Sequence, residues 1–461
     1  MLEPMRKRKA LGPLNNRKLT PKTRVNPGAV LRPFLALCAI AVAALIIYAF
    51  VRDGGAPTFT LTPKSDTASF ATSFSLKMTG GRSGLRDVVI TASQDGKRVD
   101  VLRKDFADKP AEHTAAFKLP RDAGFKQGPI DLTVEVRNNA LLSFLGRGKA
   151  SAVEKLTLDL TPPRLSVNPG VHNINQGGGA VVAYAVSKDV ARTGVMVGEL
   201  FFPAFLQKDG RYFCFFAMPL DVPPASFKPK IIAQDKAGNE ITQSVQVLAI
   251  AKSFKSDKLN IPDEFLNDKM SQYTDLYPNE KRPVDIYKRV NSELRKKNVD
   301  ELLTIGKDTA PTQLWSGPFL RLPAAAGRAG FGDQRDYYYN GELIDHQTHM
   351  GVDLASIACA PVPAANTGRI VYAGFFGIYG NCVIIDHGLG VQSLYSHLSE
   401  IDVAKGAEVK KGQIIAKTGA TGLAGGDHLH FGMIISGIQV SPVEWWDEHW
   451  INDNIVKHLA K

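Results

Sequence analysis

The chain has 461 residues, 44% of them hydrophobic, and carries a formal charge of +11. That length accommodates about three domains at roughly 150 residues each, and the apolar share lets each bury its own core. The charge does not make this a nucleic-acid binder: residues 1–32 hold nine Lys/Arg against Glu3 alone, a net +8 that leaves only +3 on the other 429 residues.

The basic tail, 1–32, runs into Pro33–Val51, nineteen residues without a charge. At 1.5 Å per residue a helix there covers roughly 28 Å, enough to cross a hydrocarbon core. The Lys/Arg excess predicts a cytoplasmic N-terminus and export of everything after Arg52. A cleaved signal peptide competes with this reading, but its apolar region is normally about 7–15 residues and ends at a small-residue cleavage site. Here the run is longer, and Tyr48-Ala49-Phe50-Val51-Arg52 is a poor site. A single-pass anchor is expected, with the tail setting topology and open to anionic lipid, an envelope protein or a cytoskeletal partner.

A hinge, Gly54-Gly55-Ala56-Pro57, precedes many short strands broken by turns. Phe74–Met78 and Ile130–Val136 alternate apolar and polar residues, and Gly80-Gly81, Asp95-Gly96 and Asp209-Gly210 mark turns. That pattern predicts β-sandwiches over 57–158 and 159–250, separated where Pro162-Pro163 interrupts any strand ladder. Asp159-Leu160-Thr161-Pro162-Pro163 and Ala233-Gln234-Asp235-Lys236-Ala237-Gly238-Asn239 resemble motifs of bacterial immunoglobulin-like domains over roughly 159–250. Residues 57–158 follow only by strand pattern. A spacer role is expected for both.

Residues 251–313 read as a connector of two helices. Pro262-Asp263-Glu264 starts one. Val284, Tyr287, Val290 and Leu294 keep helical spacing in the other, with Arg295, Lys296 and Lys297 expected at its end. Whether this connector braces or occludes the C-terminal region is open. From about Leu314 to Pro442 strands return between Gly-rich turns, and 443–459 reads as an aromatic helix.

Six of the ten histidines (346, 349, 387, 397, 428 and 430) fall between positions 346 and 430, within the C-terminal region 314–461. His428-Leu429-His430, followed by Phe431-Gly432-Met433-Ile434-Ile435, reads as a strand in which residues i and i+2 face one side. His349 and Asp353 are four apart, but Gly351 argues for an extended turn rather than a helix. Imidazole, carboxylate and imidazole form the ligand set of a catalytic zinc site with one position open. Neither His-Glu-x-x-His nor Gly-x-Ser-x-Gly occurs, so thermolysin-type and serine-elbow sites are excluded.

Taken in order, His349-x-Gly351-Val352-Asp353, Tyr379-Gly380-Asn381-x-Val383-Ile384-Ile385-Asp386-His387-Gly388, Tyr395-Ser396-His397-Leu398 and Gly426-Asp427-His428-Leu429-His430-Phe431 resemble the M23 (LytM/lysostaphin-type) zinc metallopeptidases over about 314–446. Lys410–Gly419 and Phe331–Arg335 fit as well. The resemblance implies an antiparallel β-sheet domain and cleavage of peptide bonds in bacterial peptidoglycan. It implies one zinc ion on His349, Asp353 and His430, with His397 and His428 beside the attacking water as acid/base or oxyanion-stabilising groups.

Some M23-like domains act instead as non-catalytic activators or scaffolds of other wall hydrolases; the full set of five polar residues speaks against that here. The expectation is a mostly β, inner-membrane-anchored zinc endopeptidase working outside that membrane. Tyr395 either shares the face of His397 or packs. His346 matches no assigned position, His387 is expected to be structural, and His449 and His458 solvated. Cys359 and Cys382 either pair, leaving Cys214 free, or stay as separate thiols.

Overall fold

The structure is a computed structural model describing residues 27–143 and 146–460, so most of the predicted 1–32 tail lies outside the described residues. The chain forms two compact units: one of residues up to Lys64 with 73–123 and 130–155, the other of 65–72, 124–129 and 156–461.

The first unit opens with the helix Pro27–Asp53. Its part Leu31–Asp53 is long and apolar enough to cross a membrane, and Phe34, Leu37, Ile40, Leu45 and Ile47 are largely exposed. The strands Thr58–Thr62, Phe74–Thr79 and Glu112–Phe117 make one antiparallel sheet. Leu85–Gln94, Lys97–Asp105, Gly128–Asn138 and Lys149–Leu158 lie in another. Asp95 and Gly96 both have positive φ (50° and 81°), the backbone a two-residue hairpin needs to match strand twist. Period-two alternation buries Phe74, Leu76 and Met78 in one sheet and Val88, Ile90, Val134 and Val136 in the other.

In the second unit, two four-stranded sheets come first. One runs in the order Phe205–Leu206, Tyr212–Ala217, Gly179–Val186, Leu165–Val167; the other Leu200–Pro203, Arg192–Val197, Lys230–Gln234, Glu240–Ser244. The two motifs read in the sequence meet here: Lys188 Nζ donates to Asp159 Oδ2 at 2.6 Å, Asp235 Oδ2 at 2.7 Å and the Thr161 carbonyl at 2.9 Å. Asn239 Nδ2 donates to the Asp159 carbonyl and to Asp235.

The connector departs from its reading in two ways. It contains a strand, Ser256–Asn260, parallel to Gln334–Tyr339. Its second helix does not end at Arg295–Lys297: Pro283–Arg289 passes through a wide turn, Val290–Leu294, into Arg295–Ile305. The continuous apolar stripe (Tyr287, Val290, Leu294, Leu302) outweighs the basic run, because burial rather than charge holds the helix down.

The C-terminal sheet runs Ala326–Ala329, Val352–Ala355, Leu429–Ile435, Val391–Leu398, Asn381–Asp386, Gly368–Phe375, Glu408–Val409, with Ile438–Val440 paired beside Leu429–Ile435. Its neighbours pair antiparallel, as expected. Alternation divides its side chains between two cores. Val383, Ile385, Tyr395, Met433 and Ile435 pack with Phe215, Trp315 and Trp445, whereas Cys382, Ile384, Leu394 and Ile434 pack under the connector helices. The four cysteines are unpaired; Cys359 is exposed and Cys382 buried, so the possible bridge between them does not form.

Candidate metal and catalytic centre

Strand register builds the site. Asp353 is the cross-strand partner of His430, which is in turn the partner of Ser396 on the other side. Opposed residues on one face have Cβ atoms roughly 5 Å apart, close enough for side chains to share a small ion. His349 stands just before the strand Val352–Ala355, tied by its N–H to the Asp333 carbonyl at 2.9 Å, while its Nδ1 faces the Gly330 carbonyl at 2.8 Å. A carbonyl only accepts, so Nδ1 carries the proton and Nε2 presents a lone pair.

That Nε2 lies 3.0 Å from Asp353 Oδ1 and 2.9 Å from His430 Nδ1, and His430 Nδ1 lies 3.0 Å from the same carboxylate oxygen. All three residues are buried. Three electron-rich atoms this close repel one another unless a cation or a proton lies among them. Ligands roughly 2.0–2.2 Å from a tetrahedral centre stand about 3.3–3.6 Å apart, so small outward shifts suffice. The set of two nitrogens and one oxygen fits a divalent transition metal.

His428 and His397 complete the group. Nδ1 of His428 faces the Gly426 carbonyl and Nδ1 of His397 the Thr421 carbonyl, each at 2.8 Å, so both turn an unprotonated Nε2 away from those anchors when neutral. Their ring centroids are 4.9 Å apart, and both line one cavity of about 680 Å³ with the three ligand candidates. Burial opposes a charge on His428, but the Asp353 carboxylate beside it raises its pKa. Burial and the neighbouring His430 and His428 hold His397 well below its ordinary value. Burial likewise lowers His430 to about 4. Burial by itself would raise the Asp353 carboxyl, yet the imidazoles of His349, His428 and His430 against it bring its pKa down.

Residues 347–442 match the sequence profile of Peptidase family M23. The chain carries an M23 peptidase domain. Over 95 residues the chain is 43% identical to the DD-carboxypeptidase/endopeptidase Mpg of Neisseria meningitidis serogroup B, covering 21% of this chain and 22% of that one. The peptidoglycan DD-endopeptidase ShyB of Vibrio cholerae is 36% identical over 107 residues, 23% of this chain and 24% of its own. The solved catalytic domain of the antimicrobial peptidase lysostaphin from Staphylococcus simulans is 32% identical, with 26% of this chain and 91% of that one covered and a TM-score of 0.22. The chain thus spans under a quarter of the length of these curated relatives.

The M23 domain brings together all five residues singled out in the sequence and leaves the other histidines elsewhere. His346 is exposed against Asp336 and Gln334. His387 is buried between the Thr367 carbonyl and the Ser393 hydroxyl. His449 is exposed, but His458 is not simply solvated, since its ring packs 4.0 Å from that of His172. Tyr395 packs: its hydroxyl accepts from the Ala365 N–H at 2.7 Å, and its ring lies against Phe431. It does not share a face with His397, because Ser396 and His397 together oppose Cys382 in a β-bulge, with His397 at φ 62°. Arg335, not singled out in the sequence, donates to Asp353 Oδ2 at 3.3 Å. Its signal was the pair Arg335-x-Tyr337, two residues on one strand face that both line the cavity.

Proposed function

We propose that this protein is a zinc-dependent endopeptidase that cleaves stem-peptide or cross-link bonds of bacterial peptidoglycan. In the same reading, 33–51 anchors it in the inner membrane, with 1–32 in the cytoplasm and 314–461 outside. The convergence of His349 Nε2, Asp353 Oδ1 and His430 Nδ1 on one point beside two further imidazoles carries the reading. The names of the Neisseria and Vibrio relatives support the substrate class. The chemistry that zinc supplies when held by these three groups is Lewis-acid polarisation of the scissile carbonyl and acidification of water.

The protein's own residues do the rest. The Gly330 carbonyl fixes the tautomer of His349, and Arg335 fixes Asp353, as groups behind metal ligands commonly do. His397 and His428, each with one nitrogen committed to a carbonyl, use the other to exchange a proton with water or the leaving amine, or to stabilise the developing oxyanion. The sandwiches of 57–158 and 159–250 act as spacers, and 251–313 as the connector.

The test uses the full chain in detergent, loaded with zinc, on purified peptidoglycan and soluble cross-linked muropeptides read by mass. One zinc per chain and a discrete cleaved bond are expected. His349→Ala and Asp353→Ala should lose both zinc and turnover, whereas His397→Ala should keep zinc and lose turnover by a factor on the order of 100 or more. A zinc-replete wild type that cleaves nothing refutes the enzyme and favours an activator or scaffold of other wall hydrolases.

A further inference from the structure

Nearly half of the cavity wall around His397 and His428 comes from the connector, including Leu259, Phe265, Lys269, Asn291 and Arg295. The cationic groups in that wall differ in what they meet. Arg335 donates to Asp353. Lys269 pairs with Asp268 at 3.1 Å and donates to the Ala420 carbonyl at 2.9 Å. Arg295, half-buried, forms no ion pair with a carboxylate among the described residues.

Its guanidinium is nonetheless held in place. Nε donates to the Asn291 carbonyl at 3.1 Å, and Nη2 donates to the Asn291 side-chain oxygen. Asn291 is fully buried, and its own amide donates to Asp345 Oδ2 at 2.6 Å, which fixes which way its oxygen points. The two other acidic groups of the wall, Glu264 and Asp268, are exposed. A guanidinium oriented by a buried amide and partly withdrawn from water is ready for a planar, bidentate acceptor.

We propose that Arg295 reads a free carboxylate carried by the peptide substrate near the cleaved bond, so that the protein discriminates a carboxylate from the corresponding carboxamide. This specificity rests on the peptidase reading above and extends it to the substrate's charge. The connector is then part of the substrate site.

The experiment compares two soluble cross-linked muropeptide dimers that differ only in amidation of their free carboxylates, using the zinc-loaded full chain in detergent. Wild type should prefer the free acid by roughly tenfold or more in kcat/KM. Arg295→Met should lower kcat/KM on the free acid by about 10- to 100-fold and change the amidated dimer by no more than about twofold, with Arg295→Lys recovering part of the loss. Equal losses on both dimers reduce Arg295 to a structural brace and overturn the proposal, as does a wild type without preference. Calorimetric binding of the same dimers separates this failure from that of the peptidase reading. A chain that cleaves neither dimer but binds the free acid better, through Arg295, keeps the carboxylate site and loses the enzyme.

Discussion

Gly351 shows how little room the candidate ligands have. A Cβ at this position would stand 2.5 Å from His430 Nε2 and 2.7 Å from the Phe431 carbonyl. The first contact must push the imidazole and the second meets backbone, so the clash cannot be relieved by a flexible side-chain end. Gly351→Ala should therefore turn His430 out of line while leaving the sheet formed. The expected result is a roughly 10- to 100-fold weaker zinc affinity in a competition titration, with an unchanged far-UV circular dichroism spectrum. Unaltered zinc binding would mean that His430 is not a ligand. His397 makes the complementary point: its left-handed backbone at the bulge is strained for a residue other than glycine, and such strain persists where neighbouring structure holds it.

Among the elements, loops flanking the strands of the two four-stranded sheets are tied by one lysine. The Asp235 side chain is 2% exposed and that of Lys188 28%. Burial opposes the charge on Lys188, but its two carboxylate partners raise its pKa, so the cation is firmly present. Lys188→Met leaves the buried Asp235 carboxylate with only Asn239. Breaking a fully buried pair costs about 3–5 kcal/mol, and the partial exposure of Lys188 reduces this to about 2 kcal/mol. A urea midpoint unmoved by the substitution would refute that account. This network also shows what was legible. Asp159, Asp235 and Asn239 stood out because short motifs carry their own residue types, whereas Lys188 lies in neither motif and joins them only in three dimensions. The same holds at the candidate metal centre. His349, Asp353, His428 and His430 announce their chemistry by residue type, and the strand periodicity of 428–430 gives their common face. The bulge at Ser396–His397 was not legible, since it depends on pairing with Cys382 in another strand. Nor was the strand Ser256–Asn260, whose partner Gln334–Tyr339 lies beyond the connector helices.

Across the whole second unit, the two four-stranded sheets and the C-terminal sheet share a core: the Trp445 ring lies 6.3 Å from that of Phe215 and 5.7 Å from that of Trp315. Polar ties cross the same junction, from Asn175 to Glu444 at 2.6 Å and from Arg211 to the Leu459 carbonyl at 2.8 Å. The two parts of this unit are therefore joined both by a common apolar core and by direct hydrogen bonds. A buried titratable group at that junction is His172, 4% exposed, whose ring packs on His458 and whose Nδ1 has no hydrogen-bond partner among the described residues. Burial, with the neighbouring His458, lowers its pKa from 6.5 to about 4. The neutral ring is the form the fold accepts, so its contribution is fully present above pH 6.5 and is lost as pH falls toward 4. At the lower limit the loss amounts to about 3 kcal/mol. Thermal unfolding of the full chain between pH 7.5 and 4.5 should show a falling midpoint, and His172→Phe, which keeps an aromatic ring but cannot be protonated, should flatten that fall. The comparison removes the contribution of groups common to both proteins, such as Glu444, whose pKa burial raises and which therefore works in the opposite direction. Identical slopes for the two proteins would exclude His172 as the origin of acid sensitivity and shift it to the carboxylates.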